Sequence, residues 1–119
     1  MKAIYKRARD MALSNGQKYH VACILYRKRK PIYIGVNSNK EDLRFIRRVP
    51  DGSLISTLHA EMDALRFAQE GDHLEIIRFL KDGSMTMARP CRYCQRHISK
   101  SKVSRVSYTN WEGAFVDYL

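Results

Sequence analysis

Four side chains carry the chemistry legible in this 119-residue sequence: His59, Glu61, Cys91 and Cys94. Cysteines at i and i+3 fall on one face of a helical turn, so both sulfurs can point at one ion. His59, opening a neighbouring helix, supplies a third ligand. One nitrogen and two sulfurs on a tetrahedral ion leave its fourth position open, the arrangement of a catalytic rather than a structural zinc. Glu61 stands two residues beyond a ligand, where it can lie beside a water at the open position and shuttle protons without binding the metal. Pro90 precedes Cys91 at a helix start, where its missing N–H has no intrahelical partner to lose. Two helix N-termini aimed at the site favour thiolate and other anions there.

The elements that must hold these residues alternate along the chain. Apolar spacing and the Ser14-Asn15-Gly16 stop predict a helix over 2–14. Strands are expected at His20–Tyr26 and Ile32–Val36, joined as an antiparallel hairpin by a charged turn. Residues 38–56 form a long polar loop, a length that often marks function. A helix is expected over Thr57–Gln69, a strand over Leu74–Leu80, a loop from Asp82 to Pro90 and a short basic helix over 91–100. Strands over Val103–Tyr108 and Ala114–Leu119 end the chain. This order implies one three-layer α/β/α domain over residues 1–119, around a mixed sheet of four to five strands. The crossover into Val103–Tyr108 should be parallel and right-handed. The short connection after it makes the last strand antiparallel.

Length and composition fit one globular domain, and no apolar run approaches the roughly 20 residues of a membrane span. With no secretory pattern and three cysteines, a reducing cytoplasm and metal chemistry are expected over disulfides. The net charge is +10. Residues 1–30 and 91–105 hold the whole excess of basic side chains. If these segments meet in space, they make a basic face suited to a phosphate backbone.

His59-Ala60-Glu61, followed after 28 residues by Pro90-Cys91-x-x-Cys94, resembles the zinc-dependent cytidine/deoxycytidylate deaminase superfamily. The element order fits over essentially the whole chain, so the resemblance implies the cytidine-deaminase-like fold. It implies zinc on His59, Cys91 and Cys94, with Glu61 as the proton shuttle. Ala60 matches the small residue whose backbone touches the base. Asn37 looks like the sugar-binding asparagine at a strand end. Asn39 stands where cytidine deaminases place a glutamate that holds sugar hydroxyls. A carboxylate there would repel a 3′-phosphate, whereas an amide need not. The C-terminal hairpin resembles the cytidine-deaminase branch, while the histidine of the first motif is commoner in the deoxycytidylate, tRNA-adenosine and DNA-editing branches. Short phage and viral deaminases share the Arg89-Pro90-Cys91 start of the second motif.

The expected reaction is therefore hydrolysis of cytosine to uracil. The charge, Asn39 and a sheet-edge Trp111 favour cytosine in single-stranded DNA or RNA. The small size and the hairpin ending favour free cytidine, deoxycytidine or dCMP. The same zinc chemistry would also serve adenine, and a non-catalytic zinc module that binds nucleic acid competes with every enzymatic reading. Arg47, Arg48, Arg89 and Arg92 are candidate phosphate ligands. Trp111 is a candidate stacking platform for a neighbouring base or, at least equally, a core or oligomer contact. His20, His73 and His97 read as bystanders, and Cys23 as a small buried hydrophobe. Members of the superfamily often form homo-oligomers, and no membrane partner is expected.

Overall fold

A computed structural model describes every residue except Ser56 and Leu119. Helix α1 spans Ala3–Leu13, followed by strands β1 (His20–Arg27) and β2 (Lys30–Val36). A 3₁₀ turn at Leu43–Phe45 and the short strands β3 (Arg47–Arg48) and β4 (Leu54–Ile55) come next. Then follow α2 (Ala60–Leu65), β5 (His73–Phe79), β6 (Met85–Thr86), α3 (Arg92–Lys100), β7 (Arg105–Thr109) and β8 (Phe115–Asp117). Among the described residues no helix is long and apolar enough to cross a membrane.

The sheet order is β2-β1-β5-β7-β8, with β6 paired to β5. The β5–β7 pair is parallel, because α3 returns the chain to the same end of the sheet. The β7–β8 pair is antiparallel, as its short connection requires. Strand alternation divides the core in two. Ala22, Ile24 and Ile77 pack with Ala8 and Ala12 of α1 on one face. Cys23, Leu25, Leu74, Ile76 and Val106 pack with Ala60, Ala64 and Ile98 of α2 and α3 on the other. The three expected layers are therefore present, and Cys23 is fully buried among apolar neighbours.

Five expectations are corrected. First, the sheet has six strands, because β6 folds back on β5 within the segment expected to be loop. Second, the loop at 38–56 carries its own β3–β4 hairpin. Third, the helix expected over Thr57–Gln69 is shortened to Ala60–Leu65. At its start, the Leu58 N–H donates to the Lys40 carbonyl and Glu41 bridges Thr57, which keeps the chain extended up to His59. At its end, the buried Asp72 carboxylate accepts from the Gln69 N–H and draws the chain into a turn. Fourth, the two basic segments meet only in part: α1 and α3 lie on opposite sides of the sheet, while Lys2 and Arg29 of the first segment share a cavity with Arg105 of the second. The last expected strand is shorter too, at Phe115–Asp117, and its final residue, Leu119, lies outside the described residues.

Candidate active site

The site stands where the N-termini of α2 and α3 meet above the sheet. Gly35 of β2 sets the depth of α2. A side chain there would begin 2.7 Å from the Ala60 carbonyl oxygen and 2.8 Å from the Ala64 nitrogen, so only glycine lets the helix sit this close. Asp63 then locks the seat: its carboxylate accepts from the Tyr33 hydroxyl at 2.9 Å and the Val36 N–H at 3.1 Å, and pairs with Arg66. On α3, Cys91 is the N-cap, its sulfur accepting from the Cys94 N–H at 3.5 Å.

These two seats bring His59, Cys91 and Cys94 together, with ligand atoms all within 4.8 Å of one another. His59 Nδ1 lies 3.1 Å from Cys94 Sγ and 3.7 Å from Cys91 Sγ. The donor set and its spacing fit zinc, with one nitrogen, two sulfurs and room for a fourth ligand. Among the protein groups alone, hydrogen bonds from Cys94 and then His59 hold the Cys91 thiol down to about 3. The Cys94 thiol is pushed up, first by its hydrogen bond to Cys91 and then by burial. Both sulfurs bind a cation as thiolates, so its uptake by both displaces any proton they hold.

A cavity of about 310 Å³ opens beside the ligands, lined by Asn37, His59, Ala60, Glu61, Arg89 and Cys91 among others. Glu61 is 6% exposed, and burial raises its carboxyl above the ordinary range. Ala60 is fully buried and offers the pocket a small wall. Arg89 is exposed at the mouth. Asn37 lines the pocket with its amide already engaged: Oδ1 accepts from Asn15 at 2.7 Å and Val21 at 3.0 Å, and Nδ2 donates to the Tyr19 carbonyl at 3.0 Å.

Asn39 and Trp111 do not line this cavity. Asn39 is exposed beyond the end of β2. Trp111, 68% exposed, stands in the β7–β8 turn, at the end of the sheet that also carries Arg78. Of the other histidines, His97 packs against Phe45 and Tyr93, His20 bonds Ala12 and Asn15, and His73 lies across the sheet.

Several pocket residues escape the sequence reading. Tyr19 and Arg78 flank the mouth, with the Arg78 guanidinium 4.9 Å from the Tyr19 ring centroid. They meet because Val21 pairs with Arg78 across β1 and β5, a register that local spacing does not reveal. Asp63 left one signal, a carboxylate on a helix whose neighbours are apolar.

Comparison with known proteins agrees with this geometry. The family model described as the cytidine and deoxycytidylate deaminase zinc-binding region matches residues 1–110. None of the curated proteins matches the sequence. A solved structure of a dCMP deaminase from the cyanophage S-TIM5, in complex with dCMP and dUMP, superposes with a TM-score of 0.56 at 21% identity. That match covers 92% of this chain and 84% of the other, and shows a shared fold. With the family match running through both helix starts, and the zinc donors standing where those starts converge, this chain belongs to the cytidine and deoxycytidylate deaminase family.

Proposed function

We propose that the chain hydrolyses the exocyclic amine of cytosine on a phosphate-bearing nucleotide, giving uracil and ammonia. The observation that carries this reading is the buried Glu61 carboxyl beside the His59, Cys91 and Cys94 donor set, in one cavity with an exposed arginine at its mouth. Zinc on those three donors supplies a water that ionises near neutral pH.

Glu61 accepts a proton from the water and delivers one to the ring nitrogen next to the carbon under attack. A second transfer goes to the amine as the carbon–nitrogen bond breaks. Water oxygen becomes the carbonyl oxygen of uracil, and the amine leaves as ammonia. A carboxyl raised by burial suits both the accepting and the donating step. Ala60 lets the ring approach the α2 backbone. Asn37 has one amide hydrogen beyond the bond to Tyr19, and we assign it to a sugar hydroxyl. Arg89 and Arg78 at the mouth suit a phosphate. The dCMP and dUMP bound by the cyanophage enzyme support a nucleotide over a bare nucleoside.

The test is a mass-spectrometric assay on zinc-loaded protein, with dCMP, deoxycytidine, cytidine, an adenosine nucleotide and cytosine-containing single strands offered separately. Glu61→Ala serves as the blank. The reading expects conversion of phosphate-bearing cytosine substrates. Turnover of unphosphorylated cytidine alone would remove the role of Arg89. No ammonia from any substrate by zinc-replete protein would end the deaminase reading. A single strand as the preferred substrate is favoured by a second groove at the same metal donors.

A further inference from the structure

A second groove, of about 500 Å³, opens on the other side of the metal donors and shares His59 and Cys91 with the reaction cavity. Arg47, Arg48, Arg92 and Arg96 line it, and no aspartate or glutamate does. The arginines that form ion pairs among the described residues, Arg9, Arg27, Arg44, Arg66 and Arg105, all lie elsewhere. The four in the groove therefore face one another without a counter-charge.

Their placement works against the bare protein. Arg92 sits in the first turn of α3, at the positive end of the helix dipole, with no acidic residue in that turn. Arg96 lies one turn on, so two like charges share a helix face at i and i+4. Both are exposed. Arg47 is fixed, donating to the Phe45 and Thr57 carbonyls at 3.1 and 3.0 Å, with its guanidinium 5.0 Å from the Tyr93 ring centroid. Arg48 is braced by the Gly52 carbonyl. An anion in the groove would offset the repulsion and the unfavourable dipole together.

We infer that this groove holds the phosphodiester backbone of a single-stranded nucleic acid whose target cytosine occupies the adjoining pocket; the inference rests on the deaminase reading for the fate of that base. One mononucleotide does not satisfy the arrangement. Arg78 and Arg89 already stand at the mouth of the reaction cavity, and four more guanidinium groups lie on the other side of the shared donors. A strand crossing His59 and Cys91 places its phosphates on both sides. The base must be unstacked to enter, which a single strand permits.

The test is binding, which needs no turnover. Zinc-loaded protein is titrated into fluorescein-labelled 12-nucleotide single strands of DNA and of RNA, each with one cytosine, and anisotropy is followed over a range of salt. The parent should bind with a steep salt dependence. Arg92→Ser/Arg96→Ser should weaken binding by about tenfold or more and lower the slope of log K against log salt by about 1.4, the share of two phosphates on a single strand. Lys28→Asn/Arg29→Gly, at the exposed β1–β2 turn whose two central residues have positive φ, removes the same charge and should change affinity by less than about threefold. Unlabelled oligothymidylate should displace the labelled strand, whereas dTMP at equal phosphate concentration should not. The inference is overturned if the α3 variant binds as the parent does, if the turn variant loses as much, or if dTMP competes equally. Strands that bind in this pattern but release no ammonia would leave the groove assigned and overturn the deaminase reading.

Discussion

Glu61 and Glu75 are carboxylates set against opposite faces of one sheet, and their surroundings differ in kind. Glu75, on the α1 face, accepts from the Tyr5 hydroxyl at 3.0 and 3.1 Å and from the Tyr26 hydroxyl at 2.6 Å. Burial and then the nearby carboxylate push the Tyr5 hydroxyl up to about 12, so it remains a donor at all ordinary pH. Glu61, on the α2 and α3 face, is more deeply buried, and no arginine or tyrosine bonds it among the described residues. A carboxylate held by two phenols fastens a helix to a sheet. A buried carboxyl without such holders, next to metal donors, keeps its proton affinity available for chemistry. Asp72 belongs with Glu75, since Arg27 bonds both of its oxygens at 3.0 and 2.9 Å.

Substitutions on the two faces of the sheet separate the two roles. The largest effect is expected from Cys94→Ser, which should lose zinc and all turnover; metal analysis alongside activity checks it. Glu61→Gln should retain zinc and lower kcat by about 10²–10⁴-fold, with no loss of folding stability. If instead Glu61→Gln unfolds the protein and keeps its rate, Glu61 is a fastener like Glu75. Gly35→Ala should cost about 1–3 kcal/mol in chemical denaturation and reduce kcat as well, because α2 must shift outward. Glu75→Gln should cost about 1–2 kcal/mol of stability and leave kcat unchanged.

The smallest effect concerns acid. Arg27 holds the Asp72 carboxyl below the usual carboxylate range. The folded state therefore binds this proton less readily than the unfolded chain. The stabilisation is full above the unfolded pKa of about 4 and is lost as pH falls through the lowered folded value. Urea midpoints between about pH 5 and 3 should show this slope in the parent and a shallower one in Asp72→Asn.

The metal donors are legible in the sequence because each sits in a short motif at a helix start, where local spacing fixes direction. The parallel β5–β7 pair and the antiparallel β8 follow from connection length alone. What stays hidden depends on partners distant in sequence. The pairing of 38–41 with 57–58 shortens α2, and nothing within Thr57–Gln69 announces it. Arg47, Arg48 and Arg92 are visible as cations, but their convergence with Arg96 needs the β3–β4 hairpin folded against α3. Summed charge also misleads: the two basic segments are real, yet the sheet separates their helices, and they meet where Lys2 and Arg29 share a cavity with Arg105.

With Gly35 backed against Ala60 and Ala64, the α2 backbone rests directly on β2 at that point, with no Gly35 side chain that could rotate aside. The helix stays seated or leaves as a whole. A ligand would then enter and leave beside Tyr19 and Arg89, with the seat of α2 unmoved. The amide hydrogens of Asp63 and Ala64 should accordingly trade with solvent deuterium only when the whole domain unfolds, even while the mouth admits a substrate on every turnover.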